Sequence, residues 1–457
     1  MTRWILIVGM VAGLSACATG PRTPPINESS NFNELCASGM TAACAITGQK
    51  IVVHDRLAVM QGPTSAAQTR FAVALPKKTS ALYFWKGPRG LSAAKPERRE
   101  RKDSALAVDQ LEVFGIELGA GYELFVLDEY GKLLDQRRFR ALDLGKEKTK
   151  LAVVSCADDE LKAEQFKMWP QLLKARPDAI LMIGDNAYAS RKGDQIPEYI
   201  WRRYAETRAA LEIYKVEDLV PIVATWDDHD YGAGDGDRTF KYKDEAREIF
   251  FAFFPQTKPG EAFARGPGVA SSWDAFGVRI LLTDDRSFRS PNRLDLPDET
   301  HFGVEQEAWI QDELKTAKTP VLLTSGDQFF GGYQPRESYQ GNHPKSFETQ
   351  LKAWRKTKVP VVFVSGDRHL TEIIKVPREA LGYPTFEITS SPIHARVYPG
   401  AFKTDPSPRQ LVGIDGVHNY AFLKIEKASA AELQLQVESY GMDEKRLFER
   451  KLQVKRP

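Results

Sequence analysis

Cysteine is scarce in this sequence, and neither sign of charge prevails. Four cysteines among 457 residues are too few to hold a disulfide-built scaffold together. With 63 Lys+Arg against 61 Asp+Glu, the net charge is only +2. That excludes a chain built to coat nucleic acid, which needs clustered basic excess to displace counterions from phosphates. Beyond the first twenty residues no apolar run is long enough to cross a bilayer, so the remainder reads as soluble. Internal repeats and low-complexity tracts are missing as well. What is present is a 42% hydrophobic share, which rules out a disordered chain and supplies cores for two to three domains.

The cysteines separate by position. Arg3 gives a basic start, and Trp4 to Ala16 form an apolar run with the length of a signal h-region. The run ends in Leu14-Ser15-Ala16-Cys17, which resembles the lipobox of bacterial lipoproteins. That resemblance implies an acylated Cys17 as the mature N-terminus; the other reading is an ordinary secretory signal with an incidental cysteine. The expected order is a signal peptide over 1–16 and a flexible stalk over 17–50. The protein would then be lipid-anchored to a bacterial membrane, outside the cytoplasm and facing the periplasm. In that oxidising compartment Cys36 and Cys44 either pair across a short loop or stay free.

Residues 51–148 read as short strands bounded by Gly, Pro and charged turns, among them Thr69 to Leu75, Ala81 to Trp85, Gln110 to Phe114 and Tyr122 to Leu127. This pattern predicts a small β-sandwich, with the basic run from Lys95 to Lys102 as a solvated loop. From 149 to 457 apolar strands alternate with helical segments such as Leu161 to Lys174, Lys243 to Phe253 and Val304 to Lys315. Continuous β-branched runs between helices indicate strands buried on both faces, hence an α/β layered domain.

Chemistry concentrates just after those strands. They run into Ser155-Cys156, Gly184-Asp185-Asn186-Ala187-Tyr188, Trp226-Asp227-Asp228-His229-Asp230, Asp284-Asp285-Arg286, Gly326-Asp327 and Gly366-Asp367-Arg368-His369. Ligands in α/β sheets gather at the carboxyl ends of strands. So many carboxylates in one cleft raise each other's pKa unless cations lie among them. Asp, His, Tyr and thiolate are competent metal ligands, and two ions about 4 Å apart can clamp a phosphoryl group and activate water. The residues alone thus point to a dinuclear metallohydrolase.

In this order the motifs resemble those of the PhoD-like alkaline phosphatases, a branch of the calcineurin-like metallophosphoesterases. Asp285 to Arg289, His301-Phe302-Gly303 and the segment Gln61-Gly62-Pro63-Thr64 extend the likeness. It implies a four-layer αββα metallophosphoesterase domain preceded by a small β-sandwich, acting on phosphomonoesters or phosphodiesters. It also implies that Asp185 bridges two metals, that Cys156 and Tyr188 bind a trivalent iron, and that Asp228, Asp367 and His369 complete the ligand set. His229 would assist the leaving oxygen, and Arg286 would hold a phosphate oxygen; the other reading of Arg286 is a structural ion pair beside Asp284 and Asp285.

Two features depart from the family pattern. Gly234 stands where an Asn commonly serves the second metal, and Ala189 and Ser190 stand where an acidic residue is common. The second ion, calcium by resemblance, is therefore open to Mn2+ or Zn2+. His394, directly after a late strand, is a further candidate for lining the cleft, while His54, His301, His343 and His418 read as structural or surface residues. The rival function is a degenerate phosphoesterase fold acting as a surface binding or assembly protein.

Overall fold

The computed structural model describes residues 56–64, 67–191, 195–256, 263–292, 296–332, 337–404 and 406–456. Cys17, Cys36, Cys44 and His54 lie outside the described residues, together with the expected signal and stalk.

Two antiparallel four-stranded sheets form the first layer pair. One has the order β1 (Ala58–Gln61), β2 (Gln68–Pro76), β6 (Leu106–Phe114), β5 (Pro96–Arg99). The other runs β4 (Gly90–Ala94), β3 (Ala81–Gly87), β7 (Gly121–Asp128), β8 (Leu133–Arg140). Alternate residues, including Phe71, Val73, Tyr83, Leu111, Leu124 and Phe139, share the core between them, as period-2 patterning requires. The basic run is not the solvated loop its composition suggests, because Pro96–Arg99 pairs with β6 as an edge strand. Its charged, exposed side chains suit an edge that should not recruit another strand.

The larger part is built on two further sheets. The six-stranded sheet has the order β11 (Ile222–Thr225), β10 (Ala179–Ile183), β9 (Thr149–Val154), β20 (Tyr420–Ser429), β21 (Glu432–Tyr440), β22 (Arg446–Lys455). The eight-stranded sheet runs β12 (Phe263–Arg265), β13 (Ser271–Ala275), β14 (Val278–Leu282), β15 (Val321–Thr324), β16 (Val361–Ser365), β18 (Thr385–Ser390), β17 (Leu370–Val376), β19 (Gln410–Asp415). Leu151, Val153, Leu181, Ile183 and Val223 join a core with Ile280, Leu322 and Phe363 between the sheets. Their neighbours Ala152, Val154, Ile180, Met182 and Ala224 join a second core with Met168 and Trp169 of α1 (Lys162–Lys174), Ile200 of α2 (Pro197–Ala210) and Phe250 of α4 (Lys243–Phe253). On the far side, Ile310 of α5 (Gly303–Thr316) and Trp354 of α7 (Pro344–Trp354) cover the eight-stranded sheet. The result is the four-layer αββα architecture.

The sandwich is seated on the helical layer. Ala58, Met60, Ala72, Ala74 and Val108 turn away from the sandwich core and join Phe250 and Phe251. Gln110 Nε2 donates to the carbonyls of Phe251 and, at 3.0 Å, Ala252. Trp273 Nε1 donates to Thr64 O at 3.2 Å. A Cβ on Gly62 would come within 2.8 Å of Pro255 Cγ, so the segment Gln61 to Thr64 needs its glycine for this close approach.

Candidate metal centre

Parallel β9, β10 and β11 of one sheet, and β14, β15, β16 and β18 of the other, end at the same place. Cys156 N donates to Gly184 O at 3.2 Å, Ile393 N to Ser155 O at 2.9 Å and Gly366 N to Gly326 O at 2.8 Å, so the loops after these strands are bonded to one another. The fit is tight. A Cβ on Gly366 would lie 2.8 Å from Ser155 Cβ, and one on Gly184 2.6 Å from Asp227 Cβ. That closeness explains why Asp185 and Asp367 each follow a glycine.

Immediately past the strands the chain turns through the left-handed region at Cys156 (φ 56°), Asp185 (φ 53°), Asp367 (φ 53°) and His369 (φ 52°). Such conformations cost non-glycine residues about 1–3 kcal/mol each and collect at functional sites. All four were singled out from the sequence as ligands.

Two donor groups result. Ligand atoms of Cys156, Asp185 and His369 lie within 4.8 Å of one another, and so do those of Asp185, Asp228 and His229. Asp185 belongs to both. Tyr188 packs against Cys156 and Ala395, with its ring 4.3 Å from that of His229. Asp367 contributes its carbonyl 3.9 Å from Cys156 Sγ; its carboxyl falls outside both donor groups.

Supporting bonds fix these side chains. Ser391 Oγ donates to Cys156 Sγ at 3.0 Å, Asp235 N donates to Asp228 Oδ2 at 2.8 Å, and His229 Nδ1 is held by Ser190 Oγ. Asp228 and His229 ride on α3 (Asp228–Tyr231), a single turn closed by a reciprocal capping box between Asp227 and Asp230. Asp230 also accepts from Ala187 N at 2.8 Å and Asn186 Nδ2 at 3.3 Å. The sequence quotes both acids in one motif, and their spacing is that of a capping box, the signal by which their positioning role is found.

The electrostatics call for a cation. Burial, then Asp228, Asp230 and Asp367, push the Asp185 carboxyl well above the carboxylate range. Burial, then Asp185 and Asp367, raise the Cys156 thiol, and burial with Cys156 raises the Tyr188 phenol. Asp367 is raised to about 7, chiefly by burial. Burial lowers His369 to about 4, which keeps the imidazole neutral as ligation requires. Among the described residues the Tyr188 hydroxyl and His369 Nδ1 are buried without a hydrogen-bond partner, an arrangement that costs free energy unless another group takes them up. Thiolate, phenolate, carboxylate and imidazole form a donor set that fits metal ions.

Arg286 is placed differently. It is fully buried; its Nε donates to Asp227 Oδ1 at 2.6 Å, and its two terminal nitrogens reach the Glu337 carboxylate at 3.2 Å each. Arg289 joins the same carboxylate at 2.6 Å and Asp327 at 3.0 Å. Burial opposes ionisation of Glu337, yet the two arginines hold its carboxyl well below the usual range. Arg286 thus serves an ion-pair network that braces Asp227, the cap of α3. Glu337 is the member that sequence spacing does not reveal, since it comes from a distant loop.

His394 is fully buried. It packs edge-on against Trp169 and meets Asp158 O through Nδ1 at 3.0 Å, so it supports the Cys156 loop from behind. His301 and His343 are also buried, 3.3 Å apart through their Nδ1 atoms. Gly234 leaves room: the nearest atoms to a Cβ built there are Asp228 Oδ2 at 3.8 Å and Ser190 Oγ at 3.9 Å.

The family described as PhoD-like phosphatase matches residues 151–443. Among solved structures, one described as PhoD superposes with a TM-score of 0.62 at 15% identity, over 86% of this chain and 91% of that one. Purple acid phosphatase PPD1 from yellow lupin (Lupinus luteus) seeds gives a TM-score of 0.60 at 13% identity, over 88% of this chain and 74% of that one. At these identities the likeness shows a shared fold. No curated protein matches the sequence significantly.

Proposed function

Because the chain belongs to the PhoD-like phosphatase family and two donor groups share its Asp185, we propose that it hydrolyses phosphomonoesters or phosphodiesters at a dinuclear metal site. Membership makes it a phosphoric ester hydrolase; the shared Asp185 carries the dinuclear reading. Cys156, Tyr188, Asp185 and His369 would hold the first ion, and their thiolate and phenolate suit ferric iron; the Asp367 carboxyl, outside both donor groups, would have to turn inward to join them. Asp185 and Asp228 would hold the second, with Ca2+, Mn2+ or Zn2+ as candidates because Gly234 supplies no amide. When bound, the ions would neutralise phosphoryl oxygens and lower the pKa of water.

The chain's own residues orient and exclude. The Ser391 hydroxyl, bonded to Cys156 Sγ, stabilises the thiolate form. The buried ion pairs of Arg286 keep α3 in place and leave its guanidinium committed to Asp227 and Glu337 rather than to a phosphate oxygen. His229, with Nδ1 fixed by Ser190, is positioned to give a proton to the departing alcohol oxygen. Its place in the second donor group favours a second reading, ligation of the second ion.

We further propose that the protein is lipid-anchored through Cys17 and works outside the cytoplasm. The lipobox-like Leu14 to Cys17 supports this, and no helix among the described residues is long and apolar enough to cross a membrane. Detergent-phase partitioning tests the anchor: it is expected for the wild type and lost in Cys17→Ser. For the reaction, purified protein should hydrolyse a nitrophenyl phosphate mono- or diester, and a chelator or Asp185→Asn should abolish the activity. Activity that survives both overturns the assignment.

A further inference from the structure

Beside the first donor group stands a partly exposed aromatic ring. Tyr398 stacks on the imidazole of His369, with centroids 5.4 Å apart and planes 26° from parallel. Its side chain is 45% exposed, whereas Cys156 and Asp185 are buried. Arg396 brings its guanidinium carbon to 5.2 Å from the centre of the same ring.

The backbone around Tyr398 is tied down. Just before it, Ile393 N donates to Ser155 O at 2.9 Å and His394 N to Cys156 O at 3.4 Å. Just after it, Pro399 packs so closely on Gly416 that a Cβ there would lie 3.0 Å away. The ring is therefore held at the edge of the centre by the same turn that braces the Cys156 loop. A phosphoryl group at the donor groups must project its ester alcohol toward solvent, and Tyr398 is an exposed ring stacked on one of the donor residues.

We propose that Tyr398, flanked by Arg396, forms the subsite for the ester's alcohol and selects phosphate esters of flat-ring alcohols, aryl or nucleoside, over those of aliphatic alcohols such as glycerol. The inference rests on the phosphoesterase reading above and adds the class of leaving group. Its physical basis is that a π-face beside a cation stacks well on any flat ring and offers an alkyl chain much less.

The test compares phenyl phosphate with glycerol phosphate as the ratio of their kcat/KM values, so that intrinsic reactivity cancels between variants. Stacking of this kind predicts that Tyr398→Ala lowers the ratio about tenfold while Tyr398→Phe keeps it within about twofold. Calorimetric binding of phenylphosphonate against methylphosphonate should show the same loss of preference in Tyr398→Ala without any turnover. If the wild type hydrolyses both esters and the ratio and the binding preference are unmoved in Tyr398→Ala, the inference is overturned and the phosphoesterase reading stands. A wild type that hydrolyses neither these monoesters nor the corresponding phenyl and glyceryl phosphodiesters overturns that reading and the inference with it.

Discussion

The carboxylate of Asp230 accepts the backbone N–H of Ala187 at 2.8 Å. Through this bond the loop that carries Asp185 is fastened to the turn that carries Asp228 and His229. Because Asp230 also closes the capping box with Asp227, one side chain sets the spacing between the two donor groups. Asp230→Ala should therefore weaken binding of the second ion and lower activity, by about 10–100-fold as for other outer supports of metal ligands. Metal titration with activity readout checks this; unchanged metal affinity would leave Asp230 a purely structural cap.

The acids of the centre predict a pH dependence of stability. Burial raises Asp230 and Asp367 to about 7 from their ordinary 3.8. A carboxyl raised in the folded state favours folding below its unfolded value, and that contribution is lost as pH climbs through the folded value. Metal-free protein should thus lose thermal stability between about pH 4 and pH 7. Bound cations offset the same charges, so the gain in Tm on adding metal should grow across that window. Melting curves with and without chelator decide it, and a gain that does not vary with pH would count against charge compensation.

Arg286 offers a contrast between bracing and substrate binding. Its ion pairs with Asp227 and Glu337 are buried, and removing one partner of such a pair costs about 3–5 kcal/mol. Arg286→Ala should lower Tm strongly, and the milder Arg286→Lys should lower it in proportion to the lost bidentate contact. A variant with an intact Tm and a raised KM would instead restore the phosphate-holding role suggested by the sequence.

Gly234 is a site for gain of function. Its φ lies outside the left-handed region and the space beside Asp228 Oδ2 is open, so Gly234→Asn should be accommodated and add an amide oxygen to the second ion. Tighter calcium binding, by about tenfold or more for one added ligand, is the expected result of calorimetry on the metal-depleted protein.

His229 has two readings that separate cleanly. As a proton donor, its replacement by Ala should leave both ions bound and slow esters of poor leaving groups far more than nitrophenyl esters, because good leaving groups need no proton. As a ligand, the same change should lower metal content and slow all substrates alike.

Much of this was legible in the sequence because strand ends are. Apolar runs such as Ala179 to Ile183 marked the strands, and the acids just beyond them marked the cleft; the helices over Lys243–Phe253 and Gly303–Thr316 follow their amphipathic pattern. Short or charged strands escaped, such as Pro96–Arg99 and Arg446–Lys455, because their pairing is decided by neighbours rather than by composition. In the centre, the coming together of Cys156, Asp185, Asp228 and His369 could be read from motif order. Glu337 and Ser391 could not, since their roles depend on loops folding back from distant parts of the chain, and the ion pairs of Arg286 run to Asp227 and Glu337 rather than to its sequence neighbour Asp284.

The most direct test of the dinuclear centre is the metal content per chain of Asp185→Asn beside the wild type, both loaded with iron and calcium and measured by elemental analysis. A shared bridging carboxylate predicts two ions per wild-type chain and a substantial loss of both in the variant. Retention of both ions in Asp185→Asn, or a wild type that binds one ion at most, would contradict the account.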